Sequence, residues 1–276
     1  MSSVAPPVRI PHLDVSGRVA FRRILLSEWT KLRSVRSTKW SLAVGFLLTI
    51  AFPVIFALVT RSHWHSMSVN ERSSRHPLDI ALAGVNVAQL AIAVLGVLLI
   101  SAEYSTGSIR STFTAVPKRL PVLWAKLAVF AAVSFVLMVP AVLIAFAGSQ
   151  AILDRHHLLQ ISLGSSGVLR SELGGAVYVM LVGVFALAIG AIVRNTAGGI
   201  AAFAAIFFVI PPLMNILPTS WNNAITPYLP SEAGRQLFSL TQDAHALSPA
   251  AGGILFAGYC AVAIAIAAAL LVRRDA

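Results

Sequence analysis

The sequence predicts an all-α, polytopic membrane protein. Two observations carry that class. Of 276 residues, 57% are hydrophobic and only 11% are charged, and the mean hydropathy is +0.82. A soluble globular chain averages about 25% charged residues. Several apolar runs also reach about 20 residues, the length that a bilayer core demands. They place six spans at 40–60, 78–101, 121–147, 174–193, 196–217 and 250–272.

The formal net charge of +11 does not point to nucleic acid, because the basic residues cluster at the ends of the apolar runs. There they match anionic lipid headgroups and orientation signals. The single cysteine, Cys260, excludes an internal disulfide.

Residues 1–17 carry Pro6, Pro7 and Pro11 and few large apolar side chains. They read as a mobile tail. They do not read as a signal peptide, since the first long apolar run begins only near Trp40.

Residues 18–39 form the next unit. Phe21, Ile24, Leu25, Leu32 and Val35 recur at helical spacing, with Glu28 as a gap and Trp29 flanking the stripe. Arg22, Arg23, Lys31, Arg33 and Arg36 fall mostly on the other side. Such a helix fits a membrane interface, apolar face in the acyl boundary and basic face in the headgroups. A helix that binds a soluble partner is the competing reading, and the two are compatible. Glu28 is the lone acid among these bases. It is expected to pair with Lys31 or with a base elsewhere, and surface pairs of that kind stabilise weakly.

Residues 40–276 hold the six-span domain. The fourth and fifth spans are joined only by Arg194 and Asn195, which predicts a tight helical hairpin. The positive-inside rule sets the orientation. Fifteen Lys and Arg residues fall on the side of the N-terminus and six on the other. Both termini are therefore expected in the cytoplasm. After the fifth span, SEAGRQLFSL is expected to form a short amphipathic helix on the outer side, with Ser231 and Glu232 in its first turn. Pro211 and Pro212 are expected to kink the fifth span.

The hairpin between the second and third spans is ordered beyond what a connector needs. Glu103 is followed by a Ser/Thr/Gly turn, and then Ile109, Phe113 and Val116 recur at helical spacing. Arg110, Ser111 and Thr114 turn away, and Pro117 ends the segment. One reading is a basic loop that only obeys topology rules. The other is a short docking helix that meets a soluble partner.

The spans themselves carry little chemistry. Asp79, Glu172 and Lys126 lie at or near span ends, and no acid or base falls near a midplane. Buried ionisable groups are the usual mark of ion-coupled transport, so their absence weighs against a self-powered transporter. Asn86, Gln89, Ser134 and Asn215 are polar residues within spans. Most such groups are interhelical hydrogen-bond partners. Asn86, Gln89 and Asn215, with Phe207 of the fifth span, are also the candidates for lining a substrate path. Gly198 and Gly199 suit close helix packing.

Catalytic motifs are absent. There is no G-x-x-x-x-G-K-[ST], so the chain is not expected to hydrolyse ATP. Nor is there a G-x-S-x-G or H-E-x-x-H. His63, His65 and His76 share one loop, and His156 and His157 share another, without a defined ligand set for a metal.

These residues together carry a resemblance. The helix reading SEWTKLRSVRS, six spans, and the first hairpin reading AEYSTGSIRSTFTAVPKR resemble the permease subunit of a bacterial type 2 ABC transporter. Bacterial members of that family often carry an E-x-x-x-G-[ST]-[IL]-R pattern after the second span. Here it is Glu103, Gly107, Ser108, Ile109 and Arg110. The resemblance implies an exporter subunit in the bacterial inner membrane, working as a homodimer or with a paralogue. It further implies a separate ATP-binding cassette protein that holds ATP and Mg, with no cofactor in this chain. The hairpin would be the coupling helix, meeting that protein through Glu103, Ser105, Thr106, Gly107, Ser108, Ile109, Arg110 and Phe113. The N-terminal helix would be the elbow, using Phe21, Arg22, Leu25, Glu28, Trp29, Leu32 and Arg33. The loop before the last span would form an outer lid. An ATP-independent secondary transporter or channel is the rival reading.

Overall fold

The computed structural model describes residues 21–109, 119–154, 158–240 and 245–273. Every regular element among them is a helix. Six of these helices are long and apolar enough to cross a bilayer, at Arg36–Ser66, Pro77–Ser105, Arg119–Asp154, Val168–Val193, Thr196–Met214 and Pro249–Arg273. They coincide with the six expected spans and fit a multi-pass membrane protein.

The first described helix is α1 (Phe21–Ser34), which ends before the expected unit at 18–39 does. Val35 is extended, at φ −77° and ψ 120°, and breaks the helix. The residues after it already belong to the first long helix, α2 (Arg36–His63). A short helix α3 (Val69–Ser74) follows, closed by a reciprocal capping box between Ser68 and Glu71. The second span is α4 (Pro77–Ser105), with Pro77 in its first turn and His76 Nδ1 accepting from Leu78 N–H. Then come α5 (Arg119–Asp154) and α6 (Val168–Val193).

The turn into the fifth span is as tight as its sequence requires. Arg194 takes the left-handed conformation, at φ 56°. Asn195 then caps α7 (Thr196–Ala204), its Oδ1 accepting from Gly198 N–H at 2.8 Å. The fifth span does not continue as a plain helix. Ala205–Val209 is a π turn, and α8 (Ile210–Met214) follows it. Pro211 and Pro212 have no N–H to give to the carbonyls of Phe207 and Phe208. The wider turn absorbs that loss.

The chain then runs through α9 (Thr219–Ile225) and α10 (Pro230–Arg235) to the last span, α11 (Pro249–Arg273). The expected amphipathic helix over SEAGRQLFSL is reduced to α10, which ends at Arg235.

Helices α4 and α6 form the centre of the bundle. In α6 the apolar window is 72% buried, against 17% for the fifth span. Glycines let α4 meet α6 and α2 backbone to backbone. A Cβ on Gly96 would stand 2.4 Å from the Gly183 carbonyl oxygen, and one on Gly84 only 2.2 Å from that of Thr49. Between α6, the fifth span and α11 lies an aromatic cluster. Phe203 stacks on Phe207 at 4.5 Å, and Tyr178 meets Phe238 at 5.1 Å and Phe256 at 5.9 Å.

The bundle has two ends. Glu103, Lys126, Arg194 and Arg273 lie at the end that α1 packs against, called here the near end. Two arginines close it. Arg119 Nη1 donates to Leu271 O at 3.1 Å, and Arg194 Nη2 donates to Leu270 O at 3.3 Å. Both serve carbonyls in the last turn of α11, where a helix leaves acceptors without internal partners. Arg194 also lies over the Tyr104 ring, 4.8 Å from its centroid.

Candidate functional site

The site grows from α1. Its buried residues are Ile24, Glu28 and Leu32, one turn apart on one face. Glu28, read from sequence as a gap in the apolar stripe, is the middle of the buried stripe. Ile24 packs with Val122 and Ala125 of α5, and Leu25 lies against them. Leu32 joins the main core. Glu28 is thus sealed above and below by apolar contacts and is 5% exposed.

An ionised carboxylate cannot stay there without partners. Lys126 provides the first. It stands in the second turn of α5 and is itself 5% exposed. Its Nζ donates to Glu28 Oε2 at 2.7 Å and to Glu103 Oε1 at 2.9 Å. Lys31, three residues after Glu28, provides the second. Its Nζ donates to Glu28 Oε1 at 2.9 Å and to Glu103 Oε1 at 3.2 Å. Two acids and two bases from α1, α4 and α5 form one four-membered ion cluster. Charge-assisted bonds of this length are the strong kind.

Burial of Glu28 raises its pKa, but the charge and hydrogen bonds of Lys126 and then Lys31 overcome this. Its carboxyl is held below its ordinary 4.5. Burial works against the charge on Lys31 too, yet Glu28 and Glu103 outweigh it. The ammonium is held above its ordinary 10.5.

The cluster borders a cavity of about 420 Å³ between α1, the start of α2, and the near ends of α4 and α5. One wall is apolar, with Leu95, Leu98, Leu99 and Val129. The other holds hydroxyls, among them Ser34, Ser37 and Thr38. Glu103 Oε2 is buried and has no hydrogen-bond donor among the described residues.

The hairpin after the second span begins in order. Thr106 N–H and Oγ1 both donate to Ala102 O, at 3.0 and 2.8 Å, and Ser105 Oγ donates to the same carbonyl. Gly107 takes φ +70°, a turn that glycine adopts freely. Ser108 Oγ lies 3.0 Å from Thr106 Oγ1. Ile109 is 4% exposed. Arg110 and Phe113, with the rest of that segment to Lys118, lie outside the described residues.

On α1, Phe21, Arg22, Trp29 and Arg33 are exposed, and Leu25 is half-buried. The interfacial reading expected Phe21 and Val35 to share the stripe with Leu32. Both are exposed in the protein, as a face turned to lipid would be, while Ile24, Glu28 and Leu32 turn inward against the bundle. Exposed Leu26 and Trp29 form a second apolar edge on α1.

The residues read as a possible substrate path do not gather in one place. Gln89 is buried and fully engaged: Tyr178 O–H donates to its Oε1 at 2.5 Å, and its Nε2 donates to Asn86 O at 2.9 Å. Asn86 itself is half-buried. Phe207 belongs to the aromatic cluster, and Asn215 is exposed, accepting from Asn222 Nδ2 at 3.4 Å.

Lys126 is the residue that sequence reading missed as a partner. Its signal was present. It is the only charged residue between Arg119 and Asp154 in an otherwise apolar helix. Glu172 differs too. Read as a residue near a span end, it stands in the second turn of α6 with no exposed surface, and neither carboxyl oxygen has a donor among the described residues. No protein-family model matches the chain, and no curated protein matches it.

Proposed function

We propose that the chain is the membrane-spanning subunit of an ATP-driven exporter of the type 2 ABC class. In this reading it forms the substrate path with a second copy or a paralogue. It meets a separate ATP-binding cassette protein, which holds ATP and Mg. Both termini face the cytoplasm of a bacterial cell, and α1 is the elbow helix at the inner membrane surface.

One observation carries the reading. The ion cluster of Glu28, Lys31, Glu103 and Lys126 ties α1 to the near ends of α4 and α5, which flank the hairpin. A subunit driven from outside the membrane needs such a link. Closure of two soluble partners has to be passed to the spans through something that does not yield. A docking segment held at its base by charge-assisted bonds is a lever of that kind. Removing one partner from a buried ion pair costs about 3–5 kcal/mol, so the joint resists being pulled apart. The absence of a phosphate-cradling motif from the sequence is consistent with energy entering through a partner. The permease then needs only to shift between two packings, facing in and facing out.

The experiment is reconstitution. The chain is purified alone and with a candidate ATP-binding cassette protein, and each is placed in liposomes. Stable co-purification with ATP-dependent solute movement is expected for the pair. Solute movement by the chain alone, unaffected by ATP, would replace this reading with that of a secondary transporter or channel.

A further inference from the structure

We propose that the cavity beside the ion cluster binds the head of a zwitterionic amphiphile. An ammonium meets Glu103, a phosphate lies at the rim, and the apolar body runs along α4. The cavity's volume, about 420 Å³, falls in the range of small-molecule sites.

Its two walls differ in kind. Leu95, Leu98 and Leu99 continue α4 inward from Glu103. Eight residues of helix separate Glu103 from Leu95, which is about 12 Å along the axis. Val129 faces the same space from α5. The opposite wall is hydroxyl-rich, through Ser34, Ser37 and Thr38. A molecule with a polar head and an apolar body matches this division, and one with only one of these parts does not.

The head is chosen by charge. The cluster's two acids and two bases leave no net charge for a lone ion to answer. Within it, Glu103 Oε1 accepts from both lysines, while Glu103 Oε2 has no donor among the described residues. Buried polar groups ordinarily find a partner. The Glu103 side chain lines the cavity and is 15% exposed. Its terminal torsion is soft, so a small rotation brings Oε2 to an incoming donor. An ammonium supplies that donor and a charge to match. The rim carries the opposite preference. Arg33 and Arg36 do not line the cavity but neighbour its residues Ser34, Val35 and Ser37 in sequence, and both are exposed. They suit a phosphate. An ammonium and a phosphate on one head describe an aminophospholipid of the adjoining leaflet. A soluble alkylamine shares only the ammonium and the apolar body.

The inference concerns the same cluster as the transport reading, but it needs no ATP-binding partner, so either can fail alone. The test uses the full chain in detergent with three probes: phosphatidylethanolamine, phosphatidylglycerol and dodecylamine. Bound lipid is counted by native mass spectrometry after washing. Wild type is expected to retain phosphatidylethanolamine about tenfold better than phosphatidylglycerol. Val129→Trp fills the apolar wall and should abolish retention. If that variant does not fold, Ser37→Trp at the exposed mouth gives the same reading. Glu103→Gln should erase the preference between the two lipids. Dodecylamine displacing the retained phosphatidylethanolamine supports the same ammonium site. Dodecylamine bound in a cavity that keeps neither lipid overturns the zwitterionic head, because the amine alone then suffices. Equal retention of both lipids, or retention unchanged in both filled variants, overturns the proposal.

Discussion

Lys126 on α5 holds Glu28 on α1 at 2.7 Å, across 98 residues of sequence, with both side chains almost wholly buried. The contact joins a short helix outside the spans to the start of the third span. Lys126→Met leaves Glu28 and Glu103 to share Lys31 alone. Loss of one partner from a buried pair costs about 3–5 kcal/mol. The expected outcome is an α1 that no longer docks, seen as protease cleavage near residue 35 with the six spans still intact. Cleavage equal to wild type would show that Lys126 is not what holds α1.

The cluster also fixes a pH window. Glu28 has its pKa depressed by Lys126 and Lys31, against its burial. Its contribution is present above the ordinary 4.5 and is lost as pH falls through the lower folded value. The pKa of Lys31 is raised by Glu28 and Glu103, against its burial. That contribution is present below 10.5 and is lost as pH rises through the higher folded value. Docking of α1 should therefore be flat between these limits and weaken beyond each. Trp29 on α1 reports it by fluorescence in a variant keeping only that tryptophan. A transition centred near neutral pH would contradict the assignment.

Gln89 gives a test that separates structure from transport. Tyr178 is fully buried and is the donor to Gln89 Oε1. Tyr178→Phe leaves that oxygen unsatisfied, at a cost of about 1–3 kcal/mol. The thermal midpoint in detergent should fall while the KM for the transported solute stays put. A changed KM with an unchanged midpoint would place Gln89 in the substrate path.

Orientation is open to labelling. With Cys260 4% exposed, single cysteines can be placed at Ser73 and Ser239 against a low background. Both are expected to react with an impermeant reagent from outside intact cells. Reaction only after lysis would invert the order of the spans.

Much of the fold was legible because bilayer thickness imposes length on the apolar runs. The hairpin at Arg194 and Asn195 followed from the absence of any longer connector, and the break in the fifth span from Pro211 and Pro212. The site was half legible. Glu28 stood out as a lone acid for which a base was expected, and Glu103 as the acid that opens the hairpin. That one lysine serves both was not expected, because periodicity reports which face a residue occupies and not which helix lies opposite. For the same reason Glu28 was read as a gap in an apolar stripe, when partners on α4 and α5 let it sit within the stripe. The extent of α1 was overread, since nothing at Val35 announces an extended residue.

The central claim is that this cluster passes the work of a separate ATPase to the spans. The direct measurement is ATP-driven solute movement by the reconstituted pair, with ATP hydrolysis followed beside it, for wild type, Lys126→Met and Lys126→Arg. The account predicts that Lys126→Met still assembles with its partner and hydrolyses ATP but moves little solute, and that Lys126→Arg, which keeps the charge, recovers most of the transport. Full transport by Lys126→Met, at the wild-type ratio of solute moved to ATP consumed, would contradict it.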